Sequence, residues 1–109
     1  MKSTRHHLIA LVTAPDLKTA RRLVQVVLRE KLVACANVFP RIESHYWWKG
    51  SLETGAEVLI LFKTSRNRVR TLEKRVLAEH PYETPEFIVL PIQAGSAAYL
   101  DWIDGSVEP

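Results

Sequence analysis

Four short apolar runs constrain the fold of this chain more than any other feature of its sequence. They are apolar at nearly every position rather than at alternate ones, and they cover residues 8–12, 33–39, 58–62 and 87–90. Runs of this length, bounded by turn residues, are typical of strands that are buried on both faces of a sheet. With 109 residues and 25% charged residues, the chain has the size and balance of one globular domain over residues 1–109.

Amphipathic helices are predicted between these strands. The carboxylate of Asp16 can cap a first helix, in which apolar residues recur at helical spacing to about Lys31. Ser65 can cap a second helix, and His80 ends it because the following proline disfavours helical geometry. Ser96 can cap a short terminal helix.

The remaining segments form a long hairpin. Its two strands run from about residue 33 to residue 64, and a turn at residues 49–51 joins them. The order is then strand, helix, strand, strand, helix, strand and a terminal helix. This order predicts an α+β fold, the ferredoxin-like split βαβ sandwich with an added C-terminal helix.

The apolar strands also predict self-association. In that topology both main helices cover one face of the sheet, so the other face would expose several hundred Å² of apolar surface, more than monomers usually expose. Covering about 500 Å² per subunit contributes about 12 kcal/mol before the cost of association. Tyr46 and Trp47 at the hairpin tip and Trp102 in the terminal helix are the predicted interface residues. The alternative is that the terminal helix covers this face.

Composition and motifs exclude several classes of function. One cysteine cannot form an internal disulfide or a Cys-x-x-Cys carrier motif, and a net charge of +3 is only a mild basic excess. The glycine-rich nucleotide loops, the zinc-protease motif and the aromatic RNA-recognition motif are absent. No apolar run approaches the roughly 20 residues of a membrane span. We therefore expect a cytoplasmic protein that binds neither nucleic acid nor membranes.

A set of short blocks in fixed order resembles the CutA family of divalent-cation tolerance proteins. The blocks are Thr13-Ala14-Pro15-Asp16, Ala34-Cys35-Ala36-Asn37-Val38, Tyr46-Trp47-Trp48-Lys49-Gly50, Phe62-Lys63-Thr64, His80-Pro81-Tyr82-Glu83-Thr84-Pro85-Glu86 and Tyr99-Leu100-Asp101-Trp102-Ile103. The resemblance implies a ferredoxin-like subunit, similar to PII signalling proteins, in a compact homotrimer. It also implies a cytoplasmic protein that is not an enzyme and acts in tolerance of divalent metals, copper above all.

The resemblance directs attention to His80 as a ligand for copper or another divalent cation, bound weakly, with Glu79 and Glu83 beside it. Cys35 is a soft potential ligand for the same ion. The alternatives are structural: His80 can bond a backbone carbonyl, and Cys35 can pack as a small apolar side chain. Val12 and Glu79 stand where some copper-binding relatives carry cysteine and histidine, which implies a weaker or differently built copper site.

A second hypothesis is a PII-like sensor or assembly protein that binds a small metabolite or a protein partner at clefts between subunits. Lys63, Tyr82 and Trp48 are its candidate cleft residues, and Lys63 alternatively pairs with Glu57 or Glu83.

The other histidines are predicted to be surface residues. His6 and His7 are adjacent and could chelate a metal ion nonspecifically, and His45 lies on the polar side of its strand.

Overall fold

The computed structural model describes residues 1–108, which form six strands and three helices. The strands are β1 (Lys2–Ser3), β2 (His7–Ala14), β3 (Cys35–Trp48), β4 (Ser51–Ser65), β5 (Ile88–Pro91) and β6 (Ala94–Gly95). The helices are α1 (Leu17–Arg29), α2 (Val69–Glu79) and α3 (Ala97–Val107). The predicted α+β class and the predicted order of the main elements are confirmed; residue 109 lies outside the described residues.

The main sheet is antiparallel, has four strands and is built around β2. Its strand order is β3-β4-β2-β5, so β2 bonds to β4 on one side and to β5 on the other. In this register Ala10 lies between Phe62 of β4 and Val89 of β5. A second, two-stranded sheet pairs β1 with β6, and the sequence pattern did not predict it.

Both α1 and α2 pack on one face of the main sheet. Alternate residues of β2 and β4 point into this layer, and Ala10, Val12, Ile60 and Phe62 are completely buried there. Apolar residues from both helices complete the cluster: Ala20, Leu23, Val27, Leu72 and Val76. This layer is the core that the amphipathic pattern predicts.

The opposite face of the sheet is apolar and only partly covered. Helix α3 packs against β4 at one end, where Tyr99 meets Lys63. The apolar residues on this side are half-buried or exposed: Ile9, Leu11, Leu59, Leu61, Phe39, Ile88 and Leu90. Phe39 and Ile88 remain 45% and 48% exposed. The terminal helix therefore leaves much of the second apolar face open to solvent in the single chain.

Two of the four predicted helix ends agree with the structure, and two predicted caps do not. The N–H of Thr19 donates to Asp16 Oδ1 at 2.7 Å, which confirms the predicted cap of α1. Helix α2 ends at His80, which is extended, as the following proline requires. The prediction that Ser65 caps α2 is wrong, because Ser65 is the last residue of β4 and a turn separates it from Arg68, the residue before α2. Ser96 directly precedes α3, but the prediction that it caps this helix is wrong, because its side chain makes no capping hydrogen bond.

The β3–β4 hairpin has the predicted turn and a bend. Lys49 and Gly50 both have positive φ, 49° and 81°, the conformation that suits a two-residue hairpin loop. The pairing register shifts between Phe39 and Ile42. Pro40 lies within this interval and has no N–H to donate to the neighbouring strand. The hairpin is thus long and bent.

We expect the buried hydroxyl of Thr64 to stabilise the fold. It is completely buried and donates to the carbonyl of Leu32 at 2.6 Å, which joins β4 to the segment after α1. Thr64→Val should lower the free energy of unfolding by about 1–3 kcal/mol, because a buried acceptor loses its donor. Urea denaturation measures this change. The control is Thr71→Val on the exposed surface of α2, and an equal effect of both substitutions would contradict the expectation.

Candidate functional site

A cleft with a volume of about 680 Å³ lies between the β3–β4 hairpin and the segment that follows α2. Aromatic and acidic side chains line it: Tyr46, Trp47, Trp48, Tyr82, Glu57, Glu83 and Glu86. The length of the hairpin creates this cleft, because both of its strands continue past the end of β2.

His80 fixes the segment that forms one wall of the cleft. The N–H of Tyr82 donates to His80 Nδ1 at 3.1 Å, so the imidazole proton resides on Nε2. Nε2 donates to the carbonyl of Thr13 at 2.7 Å. The centroids of the His80 and Tyr82 rings lie 4.7 Å apart. Both nitrogens of this buried ring are therefore used within the protein, which favours the structural alternative for His80.

Carboxylates give the cleft an acidic character. The hydroxyl of Tyr82 donates to Glu57 Oε2 at 2.8 Å. Burial, then the hydrogen bond to Glu57, raises the pKa of Tyr82 well above its usual range, so the phenol stays protonated. Burial and the nearby charge of Glu57 raise the pKa of Glu86. An environment of this kind favours hydrogen-bond donors and cations over anions.

The other predicted metal ligands each bond a protein partner. Glu79 pairs with Arg75 one turn earlier on α2, and Glu83 lies 3.7 Å from the ammonium of Lys49. The thiol of half-buried Cys35 donates to Asn37 Oδ1 at 3.7 Å. Within residues 1–108, no three His, Cys, Asp or Glu side chains form a ready-made metal cluster. One chain therefore does not bring the predicted ligand set together.

The predicted cleft residues divide into two places. Tyr82 and Trp48 line the cleft, whereas Lys63 is absent from its lining. The ammonium of Lys63 donates to the hydroxyl of Tyr99 at 3.1 Å, and this bond raises the pKa of the lysine. The alternative ion pair with Glu57 or Glu83 is not among those found in residues 1–108.

The predicted interface residues are exposed in the single chain. Tyr46, Trp47 and Trp102 are 45%, 73% and 48% exposed. Tyr46 and Trp47 lie near the hairpin tip, and Trp102 lies on α3 with its ring 5.4 Å from that of Tyr99. Their contact with another subunit stays a prediction.

His7 is the main site residue that sequence reasoning misplaced. It is buried, with 4% of its surface exposed, rather than at the surface. Its Nε2 lies 2.9 Å from Asp104 Oδ1, and its Nδ1 lies 2.5 Å from the hydroxyl of Thr4. Asp104 is far away in the sequence, so only the packing of α3 reveals this contact. His45 is exposed, as predicted, and bonds Glu43 and Thr54.

Comparison with known proteins identifies the family. A family model described as CutA1 divalent ion tolerance protein matches residues 8–106. This chain belongs to the CutA1 family.

Curated CutA proteins match it over most of its length. It is 41% identical to the divalent-cation tolerance protein CutA of Yersinia pestis over 100 residues, which are 92% of this chain and 84% of that protein. It is 41% identical to "Protein CutA 1, chloroplastic" of rice over 91% of this chain, but it spans only 56% of the rice protein.

Solved CutA structures have the same fold. The periplasmic divalent cation tolerance protein CutA of Archaeoglobus fulgidus superposes with a TM-score of 0.91 at 38% identity, covering 94% of this chain and 99% of that one. CutA1 of Oryza sativa gives 0.92 at 39% identity, with 98% of each chain covered. The names of the Yersinia and Archaeoglobus proteins describe tolerance of divalent cations. Among residues 1–108 of this CutA1 chain, no helix combines the length and apolarity needed to cross a membrane.

We expect the cleft of this CutA1 chain to make its stability depend on pH through Glu86. Because the folded chain raises the pKa of Glu86 above 4.5, it binds more protons there than the unfolded chain does. This contribution to stability is therefore lost as the pH rises above 4.5 through the folded-state pKa. Urea denaturation midpoints should be measured at several pH values between acidic and neutral. The stability of Glu86→Gln relative to the wild type should increase as the pH rises.

Glu73→Gln is the control for Glu86→Gln, because Glu73 is an exposed carboxylate on α2 away from the cleft. A difference from the wild type that stays constant with pH for Glu86→Gln would contradict the expectation.

Proposed function

We propose that this chain acts in tolerance of divalent cations as a non-enzymatic, cytoplasmic homotrimer that binds copper or another divalent metal weakly. The match to the CutA1 family over residues 8–106 is the observation that carries the proposal. Relatives named as divalent-cation tolerance proteins at about the same length support it. The names of other relatives include chloroplastic and periplasmic forms, so the location differs among members of the family.

The subunit of this trimer is a ferredoxin-like sandwich. Its support is the strand order β3-β4-β2-β5 with α1 and α2 on one face. This is the order expected of a split βαβ sandwich, with β2 and β4 as the two central strands. The partly uncovered face and the exposed strand β5 provide the reason for assembly. Monomers rarely leave an apolar surface of this kind in water.

Weak metal binding is consistent with the local geometry. Each of the four side chains predicted as ligands already has a protein partner, so a cation at any of them has to displace that partner. The four do not fit one metal site in a single chain.

The sensor hypothesis has less support from the cleft. Its anion-binding candidate, Lys63, lies outside the cleft, and carboxylates line the space where an anionic metabolite would bind. Cations and hydrogen-bond donors fit this lining better than anions do.

The homotrimer predicts a specific effect of Trp47. Light scattering of the wild type should give three times the subunit mass of 12.4 kDa. Trp47→Ser should shift dissociation to concentrations at least about tenfold higher, because an exposed tryptophan at an interface commonly contributes 2 kcal/mol or more.

Leu77→Ser is the matched control for assembly, since Leu77 is an exposed apolar residue on α2, in the helical layer. A wild type that scatters as a 12.4 kDa species would reject the homotrimer. Equal dissociation of both variants would remove Trp47 from the interface.

Direct metal binding is tested by titrating tag-free protein with Cu(II) in a calorimeter. The wild type should release or absorb heat with a saturable isotherm. His80→Asn should leave that isotherm unchanged, because both ring nitrogens are already bonded within the protein. It should lower the free energy of unfolding by about 1–3 kcal/mol, because the Thr13 carbonyl loses a buried donor.

Two outcomes contradict these expectations separately. An isotherm weakened by the His80 substitution would establish that residue as a ligand. No saturable heat with Cu(II) or Zn(II) would reject direct binding of divalent cations.

A further inference from the structure

We infer that His6, His7 and Asp104 form a binding site for a divalent transition-metal cation of the zinc, nickel and copper class. The inference rests on the proposed function and names a site for it that lies apart from the cleft and from His80. The site joins the start of β2 to α3.

Two imidazole nitrogens converge on one carboxylate oxygen. His7 Nε2 lies 2.9 Å from Asp104 Oδ1, and His6 Nε2 lies 3.9 Å from the same atom. Donors in a tetrahedral zinc site, at bond lengths of 2.0–2.1 Å, stand about 3.3 Å apart. The two observed distances lie on either side of that value. The group is therefore not a finished coordination sphere, but small movements of side chains would make it one.

The side chain that must move is free to do so. The side chain of His6 is 43% exposed and meets the His7 ring edge-on, with centroids 5.5 Å apart. Asp104 is 42% exposed, so a cation can enter from solvent and keep water in its remaining coordination position. The side chain of His7 is only 5% exposed and provides the fixed part of the site.

Thr4 holds this fixed imidazole in a suitable orientation. Its hydroxyl lies 2.5 Å from His7 Nδ1 and also accepts the backbone N–H of His6 at 3.0 Å. When Nδ1 donates its proton to that hydroxyl, the lone pair of His7 Nε2 points at Asp104. Metal-binding histidines almost always use their second nitrogen in this way, and the bond fixes both the tautomer and the ring.

The donor set also indicates the class of cation. Two neutral imidazoles and one carboxylate suit zinc, copper and nickel, whereas calcium and magnesium prefer oxygen ligands alone. Three protein ligands leave the fourth position of a tetrahedral site to water.

His45 provides an internal comparison. Its Nε2 lies 2.9 Å from Glu43, and its Nδ1 lies 3.0 Å from the hydroxyl of Thr54. His45 thus bonds the same kinds of group as His7, a carboxylate and a threonine hydroxyl. Its carboxylate partner, Glu43, is paired with no second imidazole. A variant of His45 controls for adventitious binding by one exposed imidazole and one carboxylate.

The test is a calorimetric titration of the tag-free full chain with Zn(II). His6→Asn and Asp104→Asn should each weaken binding at least about tenfold, the scale on which such sites respond to the loss of one supporting group. His45→Asn should bind as the wild type does. Both test positions are about half exposed, so these substitutions leave the core intact.

A second measurement requires no variant. In the wild type, Zn(II) should shift the imidazole NMR signals of His6 and His7 before those of His45. Binding by the wild type that neither test substitution weakens, with His45 shifting first, would overturn the inference and leave the proposed function standing. No binding of Zn(II) or Cu(II) by the wild type would overturn both.

Discussion

The pairing of β2 on both of its edges determines where every other element of this chain can lie. Because β2 bonds to β4 and to β5, alternate residues of this strand face the helical layer and the rest face the other side. Ala10 and Val12 are completely buried beneath α1 and α2. Ile9 and Leu11, on the other side, are only half-buried. A strand that is apolar on both sides therefore needs a second cover, and α3 provides only part of it.

The hairpin follows from the same constraint. Strands β3 and β4 have 14 and 15 residues, whereas β2 has eight, and β4 pairs with β2 only from Val58 to Ser65. The outer half of the hairpin is consequently a two-stranded ribbon, and the chain extends to 44 Å. Isolated two-stranded ribbons are marginally stable in water. The exposed Trp47 and Leu52 near its tip add to the apolar surface that a neighbouring subunit would cover.

Much of the fold could be predicted from interactions between residues close in sequence. The features that could not be predicted depend on packing between distant segments. The apolar runs, the Asp16 cap and the helix end before Pro81 depend on residues close in sequence, and the structure confirms them. The small β1–β6 sheet pairs Lys2 with Gly95 and Ser3 with Ala94, which are far apart in the sequence, so no local pattern could predict its register. The burial of His7 has the same origin. At the candidate site, the sequence identified the aromatic and acidic residues but could not show that both nitrogens of His80 are already bonded.

The bonds that each imidazole already makes determine what a metal ion would have to displace there. A metal at His80 would have to break a buried bond to the Thr13 carbonyl and would leave that acceptor without a donor. A metal at the other site would replace the His7–Asp104 hydrogen bond with three coordinate bonds, to His6, His7 and Asp104, while the Thr4 hydroxyl continues to hold the His7 ring. A cation would bind here more weakly than at a preformed site, because the His7–Asp104 hydrogen bond breaks when the cation binds and forms again when it dissociates. Reversible binding of a cation suits a divalent-cation tolerance protein better than permanent occupancy of the site does.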